Sequence, residues 1–455
     1  MGWPTTLAPF SVALTSAWVL FLIFDYRRKI HNASLVKSLG LLFHLIPALA
    51  FFCTSHLADT ANNPANIWFW ALLLFRYWRT AVNIFFWLRY KPAVTALGEK
   101  TKVSAQDVTV IVPTVGPYAN NVSVFDEMVT AILMNRPAKV IFSANTETAT
   151  ADVMNAVPGY ISAIAAGTTN YQRLHNLPAM LVTSEIEYVN AHVSNKRRQV
   201  VEAIARVSTP VVAMVDDTAI WAPEFLHATL PAFNDEGVGF VGTRKWVKRV
   251  RPVWDPEVSF FKNVWDYYYA GFWNTMGALY LTRHNFEIRA TNAADGGVFC
   301  VSGRSSLIRT GIVADAEFTA AFLHEYFLRI PGYFNGFGPV KADDDNFLTR
   351  WVINHGWRIK IQASAASTMT TTLGGLPVKF TSQCVRWSRT TFRQNPYALL
   401  CDRTVWWDWP LTVWTTYLPW LYNAALIWDT LAIYTFTRTS YFSSWLHLTL
   451  LVLFI

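Results

Sequence analysis

The sequence predicts an α/β domain with a mostly parallel sheet, set between membrane-spanning helices at both ends of the chain. Three observations lead to that class. Apolar residues concentrate in two end blocks of the 455-residue chain. Between them, short runs rich in β-branched residues alternate with segments long enough for helices, the pattern of βαβ units. Charged and polar clusters follow directly after those runs, where parallel sheets bind ligands.

Leu7–Phe24 is apolar for 18 residues and is followed by Asp25, Arg27, Arg28 and Lys29. That length is near the lower limit for a span, and the charge lies on the side opposite to that of a signal peptide. Ser38–Ala58 reads as a second span with His44 and Pro47 as its awkward residues, and Asn66–Leu88 as a third that carries Arg76 and Arg79. The third could instead lie flat at the headgroups. Basic residues at 27–29 and 89–91 belong in the cytosol by the positive-inside rule. The N-terminus is then outside, and the sequons at Asn32 and Asn121 are cytosolic and unglycosylated.

Four runs supply strands: Val108–Pro113, Lys139–Ala144, Met180–Thr183 and Val211–Asp216. After Arg403 the apolar character returns, and residues 405–455 hold three charges and seven tryptophans. Pro410–Phe436 is long enough to cross once. The segment from Tyr441 is short for a return span, so the chain is expected to break off within a crossing. The expected divisions are residues 1–92 (two to three spans), 93–377 (cytosolic domain), 378–404 (interfacial amphipathic segment) and 405–455 (C-terminal membrane region).

The composition is 53% hydrophobic and 15% charged, with 21 Trp and 31 Phe. This excludes disorder, a collagen-like fibre and a disulfide scaffold. Cys53, Cys300, Cys384 and Cys401 share no metal-ligand spacing. The net charge of +8 suits nucleic acid, anionic headgroups or a phosphorylated substrate. The basic residues lie beside spans or phosphate-type motifs rather than in one stripe, which argues against nucleic acid.

Asp216-Asp217-Thr218 ends the fourth run. Adjacent carboxylates repel and raise one another's pKa, and Mg²⁺ or Mn²⁺ would relieve that cost while seating a diphosphate. Helix N-capping is the alternative use. Asp343-Asp344-Asp345 is a second acidic run, suited either to a helix N-terminus or to general-base work on a hydroxyl. Asn195-Lys196-Arg197-Arg198 reads on its own as a solvated charge run. Gln383-Cys384-Val385-Arg386-Trp387 offers a donor fork, an amide and a flat ring, or else an interfacial helix.

The joint order of these motifs, with a V-x-V-P-T strand before them and G-G-V-F-C-V-S-G-R among them, resembles the family-2 membrane glycosyltransferases. That group contains the hyaluronan, cellulose and chitin synthases, and the fungal capsular-polysaccharide and hyaluronan-synthase-like enzymes are especially similar. The resemblance covers about residues 109–395. It implies a cytosolic Rossmann-like domain of GT-A type and a processive, inverting transfer from a UDP-sugar to a growing extracellular or cell-wall polysaccharide. The setting implied is the plasma membrane, with the Golgi as alternative.

Residue by residue, the resemblance puts Pro113 and Thr114 at the uridine. Lys196 and Arg197 fall near the nucleotide, with Asn195 replacing a glycine. Asp216 and Asp217 fall on the metal-binding D-x-D region, here D-D-T. Asp295, Ser302, Gly303 and Arg304 fall on the acceptor side. Asp345 falls on the general base, with Asp344 its neighbour and Asn346 where many relatives carry arginine. Gln383, Arg386 and Trp387 match Q-x-x-R-W in full. The second run ends in Ser143-Ala144-Asn145, without the acidic residue many relatives use for uracil. Two rival readings are a single transfer to a lipid acceptor, and an inactive scaffold or transporter.

Overall fold

The computed structural model describes residues 7–29, 40–95, 100–119, 121–249, 254–327, 333–373 and 377–455. The Asn32 sequon, the start of the expected second span (Ser38, Leu39) and the side chains at 26–29, on which the membrane orientation rested, lie outside the described residues. The chain forms two units. One contains Met1–Tyr90, Ala293–Gly297 and Asn395–Ile455, and the other Lys91–Asn292 and Val298–Gln394.

In the first unit, α1 (Leu7–Lys29), α2 (Ile46–Thr60) and α3 (Pro64–Arg89) are joined by later segments of the chain. Two stretches, Ala8–Asp25 and Leu41–Thr60, are long and apolar enough to cross a membrane. Two of the awkward polar residues, His44 and Arg76, have partners there. His44 Nδ1 accepts from Trp414 Nε1 at 2.7 Å, which leaves Nε2–H to donate to the Trp406 carbonyl at 2.8 Å. Arg76 pairs with Asp429 at 2.8 Å. The expected single crossing over Pro410–Phe436 is interrupted. Short turns run from Pro410 to Tyr422, the chain leaves helical geometry at Asn423 and Ala424, and helices resume at Ala425–Phe436 and Trp445–Phe454. Pro410 and Pro419 lack the N–H that a continuous ladder requires, and 12- and 10-residue helices are shorter than the ~20 residues of a span.

The second unit is built on a nine-stranded sheet in the order β3-β2-β1-β4-β7-β6-β9-β5, with β8 also paired to β6. The strands are β1 (Val108–Thr114), β2 (Lys139–Ala144), β3 (Glu185–Asn190), β4 (Val211–Val215), β5 (Ala219–Trp221), β6 (Val238–Val247), β7 (Ser305–Arg309), β8 (Arg358–Gln362) and β9 (Thr368–Thr371). Strands β3, β2, β1 and β4 pair in parallel, as do β6 with β8 and β9. Every residue of β1 and β4 is buried, which explains why both read as continuous apolar runs.

The expected strand at Met180–Thr183 is a correction. Those residues are irregular, and the third strand is Glu185–Asn190. Met180 looks strand-like because it packs into the core from the loop. The true strand lies at the sheet edge, where Glu185 and Glu187 pair with Lys139 at 2.9 and 2.6 Å. An edge strand has one unpaired side and tolerates charge, so it carries no apolar run.

Helices α4 (Val122–Met134), α5 (Glu147–Ala166) and α6 (Lys196–Ile204) follow β1, β2 and β3, each started by a side-chain cap from Asn121, Thr146 or Asn195. Val110, Val112, Phe125, Met128, Val140, Phe142, Val211 and Ala213 form the main core between sheet and α4. Each large side chain there contributes about 1.5–3 kcal/mol by leaving water. Three further helices are α7 (Phe260–Asp295), α8 (Asp344–Asn354) and α9 (Pro377–Tyr397). Strand β7 runs antiparallel to β4, with Ser305 opposite Val215. Its start therefore lies beside the carboxyl end of β4.

Candidate active site

That antiparallel step brings Gly303-Arg304 to Asp216. The Asp216 N–H donates to the Arg304 carbonyl at 2.9 Å. Helix α6 is fastened to the carboxyl ends of β1 and β2 by Gln199, whose Nε2 donates to the carbonyls of Thr114 at 2.9 Å and Ser143 at 2.7 Å. Its first residue, Lys196, is thereby held over the end of the sheet. Asn195 caps this helix, accepting from the Arg197 N–H at 3.0 Å, so a residue that departs from the related motif has a local role.

Lys196 is the centre of the cluster. Its Nζ lies 2.8 Å from Asp216 Oδ1 and 2.9 Å from Asp344 Oδ2, and donates to the Gly303 carbonyl at 3.4 Å. Burial alone would lower the lysine pKa, but Asp216 and Asp344 override it and hold the ammonium above its usual range. Asp217 accepts from Thr114 Oγ1 at 3.0 Å. Burial and the Asp216 charge raise the Asp217 carboxyl above its ordinary value.

The acidic triplet divides its work. Asp343 turns away to α9, accepting from Thr390 Oγ1 at 2.6 Å and pairing with Arg393. Burial alone would raise Asp344, yet the ammonium of Lys196 holds it below the usual carboxylate range. Asp345 accepts from the N–H groups of Gly303 at 3.3 Å and Asn346 at 2.9 Å. Burial and the neighbouring Asp344 charge push Asp345 upward, which strengthens it as a base. A Cβ on Gly303 would stand 3.2 Å from Asp345 Cβ, 3.4 Å from Asp344 Oδ2 and 3.5 Å from Lys196 Nζ, so a side chain here would press on Asp345 and adjoin the other two.

Asp216-Asp217 caps no helix, because β5 follows. The acidic run does stand at a helix N-terminus, with Asp344 and Asp345 in the first turn of α8, where the macrodipole favours them, although Asp343 has left-handed backbone geometry and makes no side-chain cap bond.

Gln383, Arg386 and Trp387 lie on one side of α9, three and four residues apart. The Arg304 guanidinium sits 5.6 Å from the Trp387 ring centroid, and Tyr280 of α7 stacks on the same ring at 5.0 Å. Burial lowers Arg304 while Asp216 and Asp345 counter it. Ser302 Oγ accepts from the Arg304 N–H at 3.5 Å. Pro113 is buried in register with Ser143, beyond the last β1–β4 pair, where a residue without an N–H is tolerated.

Two expected residues are placed elsewhere. Arg197, expected at the nucleotide, is 1% exposed and bonds Glu325 at 2.6 Å and the carbonyls of Phe322 at 2.7 Å and Ala342 at 2.8 Å. A guanidinium so enclosed fixes the segment before α8 rather than facing a ligand. Asp295, expected on the acceptor side, belongs to the first unit and bonds the N–H and Oγ1 of Thr412 at 2.9 and 2.6 Å.

Three residues given no site role in the sequence reading stand out. Asn145, one residue past β2, has a buried Oδ1 with no hydrogen-bond partner. Lys245 on β6 lies 2.7 Å from His284 Nδ1 on α7, and burial drives Lys245 down to about 7. A lone lysine within a strand was the available signal, and its partner 39 residues on was not.

The polar atoms left over test the fit of a nucleotide and a metal. Arg304 Nη1, Gln383 Oε1 and Asn145 Oδ1 are buried without partners, a donor and two amide ends suited to diphosphate, sugar or base. Asp216 and Asp217 supply hard oxygens of the kind Mg²⁺ or Mn²⁺ binds. Among the described residues no three His, Cys, Asp or Glu side chains are grouped to hold a metal by themselves. A cation here would complete its shell with diphosphate oxygens and water, the usual habit of Mg²⁺.

Residues 175–390 match the profile described as "Glycosyltransferase like family 2". A "Type 2 glycosyltransferase" of Pyricularia oryzae is 33% identical over 74% of this chain and 61% of its own length. One of Zymoseptoria tritici is 31% identical over 82% and 69%. The chain thus spans roughly three fifths to two thirds of the length of these fungal relatives. The "NDP-glycosyltransferase ltbB" of Aspergillus luteorubrus is 24% identical over 80% of this chain and 83% of that protein. Among solved structures, the mannosyltransferase PcManGT of Pyrobaculum calidifontis, in complex with GDP-Man and Mn²⁺, aligns with 81% of this chain and 96% of its own at TM-score 0.40 and 15% identity. By its likeness to the fungal relatives, the chain belongs to the family-2 glycosyltransferases.

Proposed function

We propose that the protein is a membrane-integral, inverting and processive glycosyltransferase that moves sugar from a UDP-sugar to a growing polysaccharide. The observation that carries this reading is the convergence of Lys196, Asp216, Asp344, Asp345 and Gly303 within hydrogen-bond range at the carboxyl end of β4. The two helices long and apolar enough to cross a bilayer support the membrane placement.

Asp345 takes the proton from the acceptor hydroxyl as its oxygen attacks the anomeric carbon. The bond to the UDP oxygen breaks on the opposite face, so the configuration inverts. Its raised pKa makes Asp345 a better base than an exposed carboxylate, while Gly303 and Asn346 fix its direction. Lys196, Arg304 and Arg386 stabilise charge that gathers on the leaving diphosphate. Asp216 and Asp217 would hold Mg²⁺ or Mn²⁺, which supplies further positive charge to the diphosphate. Trp387 and Gln383 close the nucleotide side, with Thr114 and Asn145 beneath it.

A panel of UDP-sugars tests the reading on purified protein with Mn²⁺ or Mg²⁺. One donor is expected to release UDP and to yield a long polymer on sizing. A single added sugar on lipid would replace the processive reading, and no UDP from any donor would remove the enzymatic one.

A further inference from the structure

Asp343 stands directly before α8 without capping it. An N-cap aspartate keeps extended backbone and turns its carboxylate back onto the first N–H groups of the helix. Asp343 instead has φ 61° and ψ 35° and makes no cap bond. The residue is 8% exposed, and its carboxylate is directed at α9. Oδ1 accepts from Thr390 Oγ1 at 2.6 Å, and Oδ2 pairs with Arg393. A buried ion pair adds little stability by itself, because desolvation of both charges offsets their attraction. What this joint sets is the placing of one helix against another.

The joint falls between the two halves of the site. Asp345 follows Asp343 by two residues on the α8 side. On α9, Arg386, Thr390 and Arg393 stand at i, i+4 and i+7 and share one face. Thr390 is one turn past Arg386, about 6 Å along the axis at 1.5 Å per residue, and its Oγ1 lies 3.1 Å from the Arg386 carbonyl. The first half of α9 is held from elsewhere. Phe380 packs with Leu281 of α7 and with Leu373, and Trp387 stacks on Tyr280. Helix α9 is therefore a strut, with its first half on the nucleotide side and its second half fastened to the helix of the base. A second tie follows, in which Gln394 Oε1 accepts from Arg350 Nη1 at 2.6 Å. One tie alone is a pivot, whereas two fix the orientation of α9 against α8.

We infer that Asp343 is a positioning residue for sugar transfer: through Thr390 and Arg393 it holds Arg386 and Trp387 in register with Asp345. The inference rests on the glycosyltransferase reading and its roles for Asp345 and Arg386. It gives the first aspartate of the run a part in the reaction without contact to substrate. Without the joint, the nucleotide stays bound by the packed half of α9 and by Lys196, but the base is no longer held at the angle from which it serves the acceptor hydroxyl.

The test uses the full chain with Mn²⁺ and the donor selected from the UDP-sugar panel. UDP binding is measured by calorimetry, and rates are referred to the number of UDP-binding sites, so that a loss of folded protein does not count. Asp343→Gly removes the carboxylate and leaves a residue at ease with positive φ, while Arg350 and Gln394 keep the helices docked. Its kcat is expected to fall about 10- to 100-fold, the cost of a small misplacement of reacting groups. KM and the UDP Kd should stay within about threefold, since binding groups are kept. Asp343→Asn, which keeps an acceptor for Thr390, should recover much of the rate. The loss in Asp343→Gly combined with Arg386→Ala should be smaller than the product of the two single losses, because the first acts through the second. Where Asp343→Gly does not fold, Thr390→Val with Arg393→Gln removes the joint from the α9 side and is read in the same way. Wild-type kcat without the joint overturns the inference, and so do losses that simply multiply. An active wild type with an unaffected variant overturns this inference alone, whereas a wild type that releases UDP from no donor removes the glycosyltransferase reading and this inference with it.

Discussion

Three consecutive aspartates do three jobs, and the difference is decided by what each meets. Asp343 ties α8 to α9, Asp344 is neutralised by Lys196, and Asp345 accepts from the backbone N–H groups of Gly303 and Asn346 and from the Asn346 amide, with a raised pKa. Adjacent Lys196 and Arg197 diverge in the same way, because neighbours on a helix point about 100° apart. Arg197 is expected to act on stability. In Arg197→Ala, Glu325 keeps Arg350 at 3.0 Å but loses its buried partner, and breaking such a pair costs about 3–5 kcal/mol. Thermal unfolding should move down by several degrees while the donor Kd of the folded protein stays within about twofold. Unchanged unfolding with a much weaker Kd would place Arg197 at the nucleotide after all. The motif spelling showed which residues matter and could not show this division, since direction depends on packing against Phe322 and Phe347 far along the chain.

At the scale of elements, β1, β2 and β4 were legible because strands buried on both faces must be apolar, whereas the edge strand β3 was hidden by its glutamates. The pairing of β6 with α7 was also hidden, although it joins two basic side chains. Burial drives Lys245 to about 7, while the unfolded chain keeps that proton to about 10.4. From about pH 7 to 10 the unfolded state therefore holds more protons, and stability contributed by this group rises with pH. Against Lys245→Met, the wild-type Tm is expected to gain across that window. Parallel Tm curves would mean that Lys245 stays charged when folded.

At the scale of the whole molecule the chain forms two units, and the two apolar end blocks fall in the same one. That was not legible, because it depends on pairs such as Arg76–Asp429 and His44–Trp414 across some 350 residues or more of chain. Activity of the intact protein is expected to fall to background in EDTA and to return with Mn²⁺ or Mg²⁺, and full activity in the chelator would exclude a metal at Asp216 and Asp217. The most direct measurement compares UDP release and donor binding in wild type and Asp345→Asn. Loss of the base at unchanged size should cut UDP release by about 10²–10⁴-fold and leave the UDP-sugar Kd within about twofold. Wild-type turnover in Asp345→Asn would contradict the assignment of this site.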